Sequence, residues 1–236
     1  MIYSVYGCFT EPVTAVALSS DRSEGTREVL LAAAEQLFAE RGMYAVSNRQ
    51  ISDAAGQRNN AAVCYHFGTR TDLLRAIESK HRTPIEALRA GMLAELAGST
   101  ELHDWVASLV RPLTDHLAEL GIPSFYARFA AQAMADPNYR DVVTKDAVAS
   151  PQLAHTIDGI IRCMPDLPKR VRFERIVMAR NLLMHTCAEH EGALAVHGPR
   201  ARSSWPLAAE GLIDVITGVW QAPIRAGSSA PKPRRQ

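Results

Sequence analysis

Apolar positions recur three and four residues apart along most of this chain, with no sustained alternation of β-branched residues, so the pattern predicts an all-α fold. The clearest group lies early. After Gly25, Thr26 can cap a helix whose Leu30, Ala33, Ala34, Leu37 and Phe38 share one face, and Arg41-Gly42 supplies its stop. Ser47 can accept from the backbone N–H of Gln50 while Gln50 reaches back to Ser47, the reciprocal capping box that starts a second helix. Its inward positions are Ile51, Ala54 and Ala55, closed by Gly56 in a left-handed turn. A third helix, roughly residues 60–66, can be capped by Asn59 or Asn60 and turns Ala62, Val63 and Phe67 inward. Asn60, Ala61, Cys64, Tyr65 and His66 then face outward in whole or part. Two short helices across a tight turn, the second ending in a polar aromatic cluster, have the form of a DNA-reading unit.

Thr69-Arg70-Thr71-Asp72 gives another capped start, from which a long helix places Leu73, Leu74, Ile77, Ile85, Leu88, Met92 and Leu96 inward, with a bend at Pro84. Further helices are predicted over 102–120, 124–135, 137–146, 151–164, 167–191 and 205–220, several of them starting at prolines. In the 167–191 helix, Ile176, Val177, Met178, Ala179, Leu182, Leu183 and Met184 go most of the way round. The final helix carries Leu212, Ile213, Val215, Ile216, Val219 and Trp220 beside Gly211 and Gly218. Each is expected to bury one face in its own core and another against a second chain. The chain divides into a flexible arm (1–22), which an upstream start codon would also explain, a three-helix domain (23–70), a larger helical domain (71–221) and a basic tail rich in Pro, Gly and Ser (222–236), expected to be disordered.

A length of 236 residues suffices for a small domain and a larger one with its own core. Lys and Arg number 26 against 25 Asp and Glu, so the chain is nearly neutral. Within 41–75, however, Arg41, Arg49, Arg58, Arg70 and Arg75 outweigh Asp53 and Asp72. Positive charge gathered on one small domain suits phosphate contacts, whose strength comes from counterion release, and Ser47, Asn48 and the helix N-termini add donors. The first twenty residues lack a basic stretch before their apolar part and are broken by Glu11-Pro12, unlike a secretory signal, and no apolar run reaches bilayer length. A cytoplasmic location and no membrane partner are expected. Cys8, Cys64, Cys163 and Cys187 form no paired motif, so neither a disulfide framework nor a metal site is expected. His185, Cys187, Glu189 and His190 split between two helix faces, and Glu78-x-x-His81 lacks the partner motif that a carboxylate-bridged metal centre needs. With no nucleophile elbow, phosphate loop or nucleotide fingerprint either, no enzyme activity and no cofactor are expected.

Ala54-Ala55-Gly56, then a short helix ending Tyr65-His66-Phe67-Gly68, then Thr69 and Arg70 leading into Asp72-Leu73-Leu74, resembles the N-terminal domain of the tetracycline-repressor (TetR) family of bacterial regulators. The resemblance covers about residues 26–76. The stretch from Gly56 to Tyr65 is one residue longer than the commonest family pattern, with Gln57-Arg58-Asn59-Asn60 in place of a small Val-Ser. The resemblance implies that Asn48, Arg49, Tyr65, His66 and Arg70 hold the DNA backbone. It places Arg58, Asn59, Asn60, Ala61 and Cys64 nearest the base edges. Asn can pair with adenine, Arg with guanine, and Ala can touch a thymine methyl. Cys64 reads as a small residue tolerated against DNA before it reads as a redox site.

The resemblance further implies a homodimer joined through its last two helices, for which Leu183, Leu212, Ile216, Val219 and Trp220 are the candidates, and a linker helix that transmits ligand state. The middle helices are expected to hold a small-molecule effector. Pocket candidates are Trp105, Leu109, Phe125, Phe129, Met134, Ile157 and Met178, with Arg111, Arg128, Asn181 and His185 as polar groups. The expected function is a dimeric regulator, a repressor by resemblance, that leaves a palindromic double-stranded operator when its effector binds. The rival is a helical ligand-binding or adaptor protein without specific DNA binding.

Overall fold

The computed structural model describes residues 13–96, 98–198 and 204–224, with side chains for all of them except 13–22, 142–143 and 146–148. Ten helices, and no strand among the described residues, follow in the order α1 (Val13–Arg41), α2 (Asn48–Ala54), α3 (Ala62–Phe67), α4 (Arg70–Glu95), α5 (Leu102–Glu119), α6 (Tyr126–Ala135), α7 (Pro137–Val148), α8 (Pro151–Cys163), α9 (Lys169–His197) and α10 (Trp205–Gln221). The all-α reading holds, and the helices of the larger part lie close to their expected bounds except α9, which runs on past Glu191 to His197.

The beginning of the chain differs. Helix α1 starts at Val13, so Thr26 lies inside it rather than capping it, and Gly25 is a helix-interior glycine of the kind that costs about 1 kcal/mol relative to alanine. Part of the expected arm is therefore helical. The rest of that arm, residues 1–12 with Cys8, and the tail from 225 onward lie outside the described residues.

Helix α2 begins as its sequence dictates: Ser47 Oγ accepts from the Gln50 N–H at 3.3 Å and the Gln50 side chain accepts from the Ser47 N–H at 2.8 Å. In so short a helix the inward positions are Ile51, Ser52 and Ala55, while Ala54 is exposed. Gly56 follows at φ +66°, the left-handed turn that frees the chain to reverse. Neither asparagine offered as a cap holds that position, which falls to Ala61 without a side-chain bond, and Asn59 instead closes the turn leading into the helix. Its Oδ1 accepts from the Ala61 N–H at 2.9 Å and its carbonyl from the Ala62 N–H at 3.0 Å.

Leu30, Leu31, Ala34, Phe38, Ile51, Val63, Phe67, Leu73 and Leu74 are buried together, so α1, α2, α3 and the first turns of α4 share one core. Thr69 and Asp72 cap α4 reciprocally, and the helix runs on through Pro84. Beyond it, α5 packs against α4, α8 and α10, and α9 packs against α6 and α10. Helix α6 also reaches back to the first domain. Phe129 stacks on Phe38 with ring centres 6.2 Å apart, and Gln132 Nε2 donates to the Ala39 carbonyl at 3.1 Å.

Candidate nucleic-acid interface and interior cavity

The edge formed by the start of α2 and by the turn and helix α3 collects the polar residues singled out from sequence. Ser47, Arg49, Arg58, Asn59, Asn60, Ala61, Cys64 and Tyr65 are exposed, and Asn48 and His66 are half-buried. Tyr65 is 81% exposed, its ring meeting His66 edge-on at 5.1 Å. The Asn48 amide donates to Cys64 Sγ at 3.4 Å and so ties the start of α2 to α3. Arg49 lies 3.7 Å from Asp53 on open surface, where such a pair is weak and exchanges readily for another anion. Arg70 differs from its expected role. Its guanidinium donates to the carbonyls of Val46, at 2.9 Å, and Met43 and lies 4.7 Å over the Phe38 ring, so it pins the α1–α2 loop instead of facing outward.

A cavity of about 310 Å³, at the small end of ligand-site volumes, lies between α4, α5, α6, α7, α8 and α9, with Trp220 of α10 on its wall. Its surface is apolar, from residues such as Ile85, Leu109, Leu113, Met134, Ile157 and Ile160. Glu78, Arg82, Glu86, Arg89, Tyr126, Thr144 and Arg180 are its polar members. Leu109, Met134 and Ile157 were legible as pocket candidates. The others lie elsewhere. Trp105 is packed between α5 and α8, donating Nε1–H to the Ser99 carbonyl at 3.0 Å. Phe129 is occupied by Phe38. Arg128 Nε pairs with Glu191 at 3.1 Å and its guanidinium covers Phe125 at 5.2 Å, so both side chains belong to the start of α6. There the buried Glu191 carboxylate accepts from the N–H groups of Ala127, at 3.1 Å, and Arg128, at 3.0 Å, stabilised by the positive end of the helix. Met178, 54% exposed, and the exposed Asn181 and His185 lie on the outer side of α9. Arg111 pairs with Glu210 of α10 at 2.5 Å.

Sequence reasoning missed a row of buried polar side chains between this cavity and the first domain. His81 of α4 meets Glu35 of α1 through Nε2 at 2.9 Å and His116 of α5 through Nδ1 at 2.8 Å. An ionised Glu35 makes Nε2 of His81 the donor, and a neutral His81 then accepts at Nδ1 from the His116 N–H. The His81 ring is stacked on Tyr126, centres 3.9 Å apart, and the Tyr126 hydroxyl donates to Glu78 at 3.2 Å on the cavity wall. Burial first, then the adjacent His81, lowers the His116 pKa to about 4, and burial beside Glu78 raises that of Tyr126 well above the phenol range. Glu78 and His81, dismissed as half of a metal motif, are in fact the α4 members of this row. Its signal in the sequence was two ionisable residues on the inward stripe of a helix.

The expected dimer residues need correction. Leu212, Ile216 and Trp220 are buried in their own chain, because α10 presents that face to α5 and α9, Leu183 of α9 is buried on the cavity wall, and Val219 is half-buried. The open face of α10 carries Leu207 and Val215, the latter 53% exposed, with the exposed glycines 211 and 218 between and beyond them. Phe173 and Met178 are exposed on α9. Cys187 is buried within α9, where burial and then Glu191 push its thiol up to about 12, whereas His185 and Glu189 are exposed. Among the described residues no group of His, Cys, Asp and Glu could hold a metal ion. Nor is any described helix long and apolar enough to cross a membrane.

Comparison with known proteins agrees with this architecture. Residues 30–77 match the family model described as bacterial regulatory proteins, tetR family, and residues 107–218 match the tetracyclin repressor-like C-terminal domain. The chain belongs to the TetR family of bacterial regulatory proteins. No curated protein matches it. Two similar solved structures are a chain from Rhodococcus sp. described as of the TetR family of transcriptional regulators and the TetR family transcriptional regulator PfmR from Thermus thermophilus. The first is 16% identical, with 84% of this chain and 100% of that one covered and a TM-score of 0.44. The second is 16% identical, with 84% and 97% covered and a TM-score of 0.48.

Proposed function

We propose that this protein is a homodimeric repressor that grips a palindromic operator through α2 and α3 and releases it when a small effector fills the cavity. The observation that carries the reading is the buried row from Glu78 and Tyr126 on the cavity wall through His81 to Glu35 of α1. A ligand that displaces Tyr126 or Glu78 bears on the helix that supports the DNA-facing edge. Membership of the TetR family supports both the DNA-binding and the ligand-responsive halves of the reading. The edge itself supplies the chemistry: Arg49 and Tyr65 for phosphates, Arg58, Asn59 and Asn60 for base edges. The outward apolar faces of α9 and α10 support pairing of two subunits, and a two-fold protein calls for an inverted repeat with half-site centres about 34–36 Å apart, or a multiple of that.

The test is selection of bound fragments from the source genome, followed by anisotropy titration of the selected site over a range of salt. A dyad-symmetric site whose affinity falls steeply with salt is expected. Weak, salt-insensitive binding with no selected sequence would instead favour an adaptor whose three-helix domain serves protein contacts.

A further inference from the structure

The cavity's polar groups are not equally satisfied, and the imbalance has a sign. Its two carboxylates are engaged: Glu78 accepts from the Tyr126 hydroxyl, and Glu86 pairs with Arg89 at 3.1 Å and also accepts from Ser150. Arg89 is occupied in turn, its Nη1 donating to the Ser108 carbonyl at 2.6 Å. Four other groups on the same wall are buried without a hydrogen-bond partner among the described residues. They are Nη1 of Arg82, Nε of Arg180, Oγ1 of Thr144 and Nε1 of Trp220. Buried polar atoms ordinarily have partners, and all four of these can donate.

Their placement agrees. Thr144 stands one turn beyond Arg140 on α7, and the positive charge of Arg140 bears on Arg180. Helix α7 also packs on α4, the helix of Arg82. Among the described residues, cations on the wall outnumber carboxylates, with Arg82, Arg89 and Arg180 against Glu78 and Glu86. What is missing is an acceptor, and the surrounding surface is hydrocarbon.

We propose that the cavity takes an apolar molecule ending in a single carboxylate, its oxygens accepting from Arg180 and Thr144 with Arg82 opposite. The proposal rests on the reading of this cavity as the effector site and narrows that site to one chemical class. A cationic head offers no acceptor to these N–H groups, and a neutral head can accept from them but brings no negative charge to pair with the arginines. The apolar body would be held by Leu109, Met134 and Ile160.

The experiment needs no DNA. Dodecanoate, dodecanol and dodecylammonium, each kept below its micelle concentration, are titrated into the full chain by calorimetry, with tryptophan fluorescence followed in parallel because Trp220 lies on the wall. Dodecanoate is expected to bind about tenfold or more tightly than dodecanol, the worth of a charge-assisted contact in a buried site. Arg180→Gln should remove most of that advantage, lowering dodecanoate affinity far more than dodecanol affinity, whereas a merely structural role would weaken both alike. Should Arg180→Gln not fold, Thr144→Val is read in the same way, and the comparison of head groups on the parent protein stands without any variant. Equal binding of dodecanoate and dodecanol, tighter binding of dodecylammonium, or no binding by any of them overturns the proposal. A protein that binds dodecanoate but no operator would uphold it while refuting the regulator reading, so the two fail separately.

Discussion

Tyr65 and Arg70 show how much a single side chain's surroundings decide. Both belong to the same motif, but Tyr65 stands in solvent and Arg70 is tied to two carbonyls. Tyr65→Ala or Arg49→Ala should therefore weaken binding to every DNA sequence without lowering the melting temperature. Asn60→Ala should relax preference at one base step by about 1–3 kcal/mol. Anisotropy at fixed salt checks both, and parental affinity in the first two variants would remove them from the phosphate contacts. Exposed polar positions of this kind were legible in the sequence because solvent is where polar residues ordinarily lie. Arg82, Arg89 and Arg180 were not, since an arginine on a helix reads as a solvated charge until a fold closes over it. His116 adds a pH dependence. Its folded pKa of about 4 lies below the ordinary 6.5, so between these values only the unfolded chain takes up the proton. Its contribution is present above pH 6.5 and is lost as pH falls toward 4, by up to about 3 kcal/mol. The groups around it are Glu35 of α1, Lys80 and His81 of α4 and Tyr126 of α6. Urea denaturation at stepped pH should show this loss, flattened in His116→Gln.

Helices α4 and α6 tie the first three helices to the rest, with Asn138 and Tyr139 of α7 meeting Tyr44 of the α1–α2 loop, and of these only α4 was legible. Helix α4 declared itself by its capping box and inward stripe. Helix α6 did not, because its two roles depend on partners far away in the chain: Phe129 and Gln132 on α1, and Glu191 at its first turn. Phe125, Arg128 and Phe129 were assigned to the pocket for that reason, though they hold α6 in place. The Tyr126 hydroxyl is the point at which α6 touches both the cavity and the row leading to α1. Tyr126→Phe keeps the ring stacked on His81 but loses the bond to Glu78. Operator affinity without ligand should stay near the parent's, while the factor by which ligand lowers it should shrink, read by anisotropy with and without ligand. An unchanged factor would take Tyr126 out of the relay. Helix α8 gives a test of packing alone. A methyl group at Gly159 would overlap the indole of Trp105, so Gly159→Ala should lower the melting temperature by an amount corresponding to about 1–3 kcal/mol.

For the whole molecule, periodicity marked α9 and α10 as apolar most of the way round but not which face is outward. Apolar residues surround α10, and only the packed chain shows that Leu212, Ile216 and Trp220 turn inward while Leu207 and Val215 turn outward. Ile216→Arg would thus place a charge inside the subunit and cost its fold. Val215→Arg should leave helicity intact and split the dimer, seen as a halved mass in sedimentation, with loss of tight operator binding. A dimeric Val215→Arg variant would place the interface elsewhere. The central claim is that cavity and DNA edge share one equilibrium, and linkage makes it reciprocal: whatever a ligand does to operator affinity, operator must do to ligand affinity. The most direct measurement is calorimetric titration of a cavity ligand into the protein with and without saturating operator. Operator should weaken the ligand by about 5-fold to 150-fold, matching the factor by which ligand weakens operator. Equal ligand affinity in the two titrations would contradict the switch.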